Sequence, residues 1–144
     1  MDNPLKLFAD DHDGLAVIST MLQDALVPLN DMEFLQVDAS FVLAINRFCW
    51  ERPEGQNYRT HCGLRIDGVT AVRGQNLDRS RGDVILEILS ISFCNTDDGQ
   101  PAESLELHFS GGGVLRLLGT QLSCGLQDMG EAWPTKWRPN HVTD

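Results

Sequence analysis

The sequence predicts an α+β protein: one amphipathic N-terminal helix packed on a strongly twisted antiparallel sheet of about six to eight strands, which is curled or barrel-like. Apolar residues recur at helical spacing only between about residues 11 and 25. From about residue 32 to residue 128, short apolar segments with period-two alternation are separated by turn residues. A length of 144 residues is typical of one domain, so we expect residues 1–144 to form a single one.

The helix is predicted to begin after a cluster of aspartates. Asp10, Asp11 and Asp13 place negative charge at its N-terminus, and Asp10 and Asp13 stand at the capping-box interval. The apolar stripe that follows consists of Leu15, Val17, Ile18, Met21, Leu22 and Ala25. Pro28 then ends the helix, and the LKLF segment before it is expected to pair as an edge strand.

The strands are predicted from alternation and from the turn residues between them. They are Met32–Gln36, Phe41–Trp50, Cys62–Val72, Val84–Phe93, Leu105–Phe109, Val114–Leu118 and Leu122–Leu126. Phe41–Trp50 is apolar on both sides, which predicts a central strand covered on both faces. Turn residues at 95–99 end the long apolar strand before them.

Three consecutive glycines, Gly111–Gly113, raise the question of a phosphate-binding loop. Such a loop requires a helix directly after it, with backbone N–H groups aimed at the anion. The next segment, Val114–Leu118, has β-branched and alternating character instead. The glycines therefore predict a hairpin turn in which they supply positive φ angles.

Charge and composition exclude several classes of partner. The net charge is -10 and the pI is near 4.6, which argues against nucleic acids and membrane surfaces as partners. The start of the chain lacks the pattern of a secretory signal, and no run of eighteen apolar residues occurs, so a cytoplasmic location is expected. Cys49, Cys62, Cys94 and Cys124 are far apart, which predicts free and mostly buried thiols.

The segment from Arg47 to Arg81 reverses the acidic balance of its surroundings. It contains seven arginines: Arg47, Arg52, Arg59, Arg65, Arg73, Arg79 and Arg81. One interpretation is that they form ion pairs with acidic side chains on neighbouring strands of the sheet. The other is an arginine-rich face for an acidic partner or an anionic ligand, with the anion site formed by Arg47, Arg65 and Arg116.

No local pattern of catalytic or metal-ligating residues is present. The four histidines form no H-x-x-x-H pair and no G-x-S-x-G sequence occurs, so no catalytic residue, metal or cofactor is predicted. A site assembled from residues that are far apart in the sequence is the alternative. If their strands were neighbours, His61 and His108 with Glu106 or Asp67 could form an acid–base or metal cluster. The alternative function is therefore a small enzyme or anionic-ligand binder.

Residues 129–144 are predicted to form an irregular C-terminal tail, because Pro134 and Pro139 interrupt it. Its candidate contact residues are Trp133, Trp137, Arg138 and His141. One interpretation is that these residues cover the open end of the sheet. The other is that they contact a protein partner or a second copy of the chain in a homodimer. We expect a non-enzymatic interaction or adaptor module that uses this tail and the Arg47–Arg81 segment.

Six segments resemble one known family along nearly the whole chain. They are LKLFADDHDGLAVISTMLQDA, FVLAINRFCWE, LRIDGV, LHFSGGGVLRL, LQDMGEAW and RPNH. Together they are similar to the domain-of-unknown-function 2948 family, small bacterial proteins found mainly in alphaproteobacteria. The resemblance implies a bacterial, cytoplasmic, single-domain protein and transfers no activity, cofactor or catalytic residue.

Overall fold

A computed structural model of the chain describes residues 4–78, 80–94 and 102–139. Its regular elements are β1 (Lys6–Ala9), α1 (His12–Met21), β2 (Leu26–Pro28), β3 (Met32–Leu35), β4 (Ser40–Phe48), β5 (Tyr58–Gln75), β6 (Ile85–Phe93), β7 (Ser104–Phe109) and β8 (Val114–Pro134). Two short 3₁₀ turns cover Leu29–Asp31 and Gln36–Asp38. One helix and an eight-stranded antiparallel sheet confirm the predicted class. The turn expected at 95–99 lies outside the described residues.

The sheet curls into a ring of strands. Its order is β1-β8-β5-β4-β2-β6-β7, and β7 also pairs with β8, so β8, β5, β4, β2, β6 and β7 close on themselves. β1 pairs with β8 and β3 pairs with β4, and both lie beside the ring. β2 joins β4 through the single pair Leu26–Asn46, so the ring is not a regular barrel. The core fills its interior.

Two glycines allow β5 and β8 to bend across each other. The first part of β8 pairs with β7 and the end of β5, and its second part pairs with β1 and the start of β5. At the change of partner, a Cβ on Gly119 would lie 1.8 Å from the carbonyl oxygen of Gly68. Gly68 itself has a φ of 88°. This close backbone approach curls the sheet, and only glycine fits it.

The helix is shorter than predicted. Its N-cap is Asp11, whose Oδ1 accepts from the Gly14 N–H at 2.7 Å, so the predicted cap at Asp10 was wrong by one residue. It ends at Met21 rather than near residue 25, because the chain turns through Asp24 at a φ of 62°. None of the described helices is long and apolar enough to cross a membrane.

The helix packs against β6 and β1 and leaves the outside of β4 uncovered. Leu15, Ile18 and Leu22 are buried in the core, whereas Val17 is half exposed. On β4, the outward-facing Ala44 is also exposed. The expectation of a strand covered on both faces is therefore wrong for the middle of β4.

The glycine triplet is a hairpin turn, as predicted. The Phe109 N–H donates to the Gly113 carbonyl at 2.8 Å, and Gly111 and Gly112 have φ angles of 89° and 92°. β8 then begins at Val114 and continues as strand to Pro134. The irregular tail thus starts after Pro134 rather than at residue 129. Pro134 is tolerated because β8 is an edge strand there, with β5 as its neighbour on one side only among the described strands.

The bend at Gly119 can be tested with a matched glycine on the same strand. We expect Gly119→Ala to lower the free energy of unfolding by about 2–3 kcal/mol, because the added methyl group collides with backbone. Gly125→Ala should change it by less than about 0.5 kcal/mol, since its nearest neighbour would be the Leu7 oxygen at 3.9 Å. Urea unfolding measures both, and equal losses would contradict the close approach.

Candidate functional site

A buried arginine lies at one end of the ring. Arg47 follows Leu43 and Ile45 on the core-facing side of β4, and its side chain is fully buried. Its guanidinium donates to both oxygens of Asp128 at 2.8 and 2.7 Å and to both oxygens of Glu51 at 2.9 and 2.8 Å. The remaining N–H donates to the Phe48 carbonyl at 3.2 Å. All five donors of the side chain are therefore engaged within the protein.

The carboxylates keep this arginine charged and attach β1 to the sheet. Burial lowers the pKa of Arg47, but hydrogen bonds to Glu51 and Asp128 outweigh it and raise the pKa above its ordinary value. Burial likewise raises the pKa of Glu51, while the hydrogen bonds from Arg47 bring it below the usual range. Asp128 also accepts from the Leu5 N–H at 2.8 Å and donates its own N–H to the Leu5 carbonyl.

The three arginines of the predicted anion site are not brought together. Arg47 is enclosed in the core, as described above. Arg65 is half exposed on the outside of β5 and donates to Asp67 at 2.9 Å. Arg116 pairs in register with Arg73, which lies eight residues beyond Arg65 on β5, roughly 25 Å of extended strand. The ion pair between Arg47 on β4 and Asp128 on β8 instead fits the other interpretation, in which the arginines pair with acidic residues across the sheet.

His61 and His108 also lie apart. β5 and β7 both pair with β8, but His61 stands opposite Met129 and His108 opposite Val114, which are fifteen residues apart on that strand. His108 contacts Glu106 at 2.9 Å, and the His61 ring lies 4.8 Å from that of Trp133. In the part of the chain that the structure describes, no three His, Cys, Asp or Glu side chains group closely enough to hold a metal ion.

The cysteines are free, and three of them are buried. Burial raises the pKa of Cys62 and of Cys124 to about 12. Burial also raises the pKa of Cys49. All three lie in the protein interior. A raised pKa disfavours the thiolate, which is the nucleophilic form of cysteine.

The predicted contact residues of the tail differ in burial. Trp133 is half-buried against His61 on the outside of the sheet. The Arg138 guanidinium lies 5.3 Å from the ring centres of both Phe48 and Trp50, so it covers aromatic surface at the end of β4. Trp137 is 80% exposed. His141 lies outside the described residues.

The outside of five neighbouring strands forms an open, largely apolar groove of about 1110 Å³. Its floor is made by small outward-facing residues of β4, β5 and β8, namely Ala44, Gly63 and Gly125. Phe8, 68% exposed, stands on the β1 side, and the β3 side carries the exposed Glu33. We call this surface the outer groove.

The outer groove was not predicted from the sequence. Gly63 and Gly125 stand at outward positions of regular strands, where a glycine contributes no side chain to cover the backbone. The Met129 side chain fills part of this space, since a Cβ on Gly63 would lie 3.7 Å from the Met129 Cε. Small residues at outward strand positions were the signal that could have located it.

The fold and its sites define an α+β protein with a curled antiparallel sheet, a buried ion network and an open apolar outer face. The chain belongs to the family described as "Protein of unknown function (DUF2948)", whose model matches residues 5–141. Among curated proteins and solved structures, none matches the chain. The family match confirms the resemblance noted in the sequence.

Removing one carboxylate should show that the ion network is structural. We expect Asp128→Ala to lower the free energy of unfolding by about 3–5 kcal/mol, because it leaves a buried guanidinium without one of its two counter-charges. Glu106→Ala removes a carboxylate from the more exposed contact with Arg116 and should cost less than about 1 kcal/mol. Urea unfolding compares them, and a small loss at Asp128 would contradict the assignment.

Acid should weaken the contact between Arg47 and Glu51. The pKa of Glu51 is lower in the folded than in the unfolded chain. The contact therefore contributes its full stabilisation of the fold when the pH is above the pKa that Glu51 has in the unfolded chain. Its contribution is lost as the pH falls through the folded pKa. We expect Glu51→Gln to reduce stability at neutral pH, and the difference from the wild type to shrink in acid. Urea unfolding over a pH series measures this, and a constant difference would contradict it.

Proposed function

We propose that the protein is a non-enzymatic interaction module that binds an amphipathic helix of another protein in its outer groove. The observation that carries this proposal is the exposure of Phe8 and Met129, at 68% and 50%, beside a floor of small residues. An apolar surface rimmed by polar residues is typical of a protein-binding site. The candidate arginines and histidines lie apart along the strands, which supports a binding role rather than the enzymatic alternative.

The dimensions of the outer groove suit a helix. Its two sides, β1 and β3, are separated by four strand spacings, which at about 4.8 Å each is roughly 19 Å. A helix with its side chains is about 10–12 Å across, so it fits between them. Small residues at Ala44 and Gly63 let apolar side chains of that helix approach the sheet backbone.

The charge of the protein favours a basic partner. The chain carries a net charge of -10, which disfavours self-association over long range. Asp31 and Glu33 are exposed where the outer groove meets β3, whereas Lys6 at the β1 side and Arg65 on β5 also line it, so its acidic charge is confined to the β3 side. A helix with an apolar face and a lysine- or arginine-rich flank toward Asp31 and Glu33 complements this arrangement.

The C-terminal residues extend the same surface. Met129 stands opposite His61 in the register, and His61 contacts Trp133, so the apolar strip continues from the outer groove toward the end of β8. Trp137, which is mostly exposed, and Arg138 follow after the strand. Tryptophan and arginine often dominate the binding energy of interfaces, which supports a contact role for these residues.

The setting we propose is the bacterial cytoplasm. Cys49, Cys62, Cys94 and Cys124 are all free thiols in the structure. Free thiols are usual where glutathione and thioredoxin keep a compartment reducing, and this supports the assignment.

Site-specific photo-crosslinking tests the proposal. A benzoylphenylalanine replaces Phe8 in the outer groove or, as a control, Val17, which is 50% exposed on the outside of α1. On irradiation in the native cells, we expect the Phe8 position to give one discrete adduct to another protein. Mass spectrometry should map that adduct to a basic amphipathic helix, and the Val17 position should not give it.

A groove-filling variant completes the test. Ala44→Trp places an indole on the exposed floor and should abolish the Phe8 adduct without changing the thermal midpoint of unfolding, because Ala44 is exposed and is not part of the core cluster. An adduct of twice the chain mass would show self-association instead of a helical partner. No discrete adduct, or the same adduct from Val17, would show that the outer groove is not a docking surface.

A further inference from the structure

The ring of strands has a gap on one side. β4 begins at Ser40, which pairs with Asp67 of β5. β5 then continues for eight more residues to Gln75, and among the described residues this part pairs with β8 alone. No strand of the described chain lies along its other edge, so the core there is covered by β3, the 3₁₀ turns and the segment after β5.

This gap opens a cavity of about 750 Å³ that reaches core-facing side chains. Phe34 and Phe41 are paired in register between β3 and β4, and both line it. Val72 of β5 and Leu115 of β8 line it from the opposite side, and Leu77 of the segment after β5 completes the apolar lining. Phe34, Val72 and Leu77 are only partly buried, so the cavity keeps apolar surface accessible. We call it the side cavity.

The polar groups of the side cavity are uncharged. Asn30 and Gln36, the amide side chains of its lining, belong to the two 3₁₀ turns. None of the described residues that line the cavity carries a charge. An ionised ligand would lose its hydration without gaining a counter-charge, which is strongly unfavourable. A neutral amide can instead donate to or accept from an uncharged polar group.

We infer that the side cavity binds an uncharged, elongated apolar molecule, such as a medium-chain alcohol, amide or ester. The chain of the ligand lies among Phe34, Phe41 and Val72, and its single polar group meets Asn30 or Gln36. The accessible lining of the side cavity is about half apolar and half polar. Small-molecule sites combine apolar surface with a few placed polar groups, and the mouth of a curled sheet is a common place for them.

The side cavity is separate from the outer groove. The side cavity reaches the core-facing side chains of Phe34, Phe41 and Val72. The outer groove opens at the outward-facing Ala44, Gly63 and Gly125 of the same sheet. Asn30 and Met32 line both, since β3 and the turn before it form the wall between them. Binding of a small ligand in the side cavity therefore does not depend on the proposed docking of a helix.

Titration with the uncharged fluorophore N-phenyl-1-naphthylamine tests the inference on the full chain. We expect a saturable rise in fluorescence at one site per chain. Val72→Trp, which fills the cavity, should weaken binding about tenfold or more, whereas Val37→Trp should change it less than about twofold. Val37 is the matched control because it adds the same indole at a position that is 101% exposed.

Competition and a second variant keep the test decisive. Decanol should displace the probe, and decanoate, which is ionised at neutral pH, should do so about tenfold more weakly or worse. If Val72→Trp does not fold, Leu77→Glu places a charge in the lining from outside the strands and should weaken binding by a similar factor. Absence of saturable binding, equal competition by decanoate, or loss of binding in Ala44→Trp alone would overturn the inference.

Discussion

One buried arginine is compatible with only one register of the strands that surround it. Arg47 on β4 is joined to Asp128 on β8 and to Glu51 in the loop after β4, and Asp128 in turn bonds Leu5 beside β1. A guanidinium in the interior is acceptable only when its charge and all its donors are matched. The register of β4, β5 and β8 is therefore tied to the position of this group, since a shift by one residue would turn Arg47 outward.

The two candidate binding surfaces follow from that register together with the bend in the sheet. With Leu43, Ile45 and Arg47 facing inward, Ala44 and the small residues beside it face outward and leave the outer groove open. The backbone contact at Gly68 and Gly119 turns β5 away from β4, so the ring stays incomplete there and the side cavity forms. Each site is thus a consequence of how the strands pair.

The periodicity of apolar residues in the sequence was sufficient for much of the fold but not for its charged interior. It located the helix, the strands from β3 onward and the glycine hairpin, because each depends on nearby residues. It also places Arg47 on the same side as Leu43 and Ile45, yet Asp128, the partner that allows burial, is 81 residues away. The side cavity depends on where β4 stops pairing with β5, and no local pattern contains that information.

The central claim is that Arg47 and Asp128 stabilise the fold as a pair rather than separately. The most direct measurement is a double-mutant cycle of Arg47→Met and Asp128→Leu, with the free energy of unfolding of all four proteins determined in urea. We predict a coupling of about 2–3 kcal/mol. Arg47→Met leaves the buried Asp128 carboxylate unpaired, and Asp128→Leu removes one of the two counter-charges of Arg47, whereas the double variant leaves only the partly exposed Glu51 without its partner. Losses that add to within about 0.5 kcal/mol would contradict the claim.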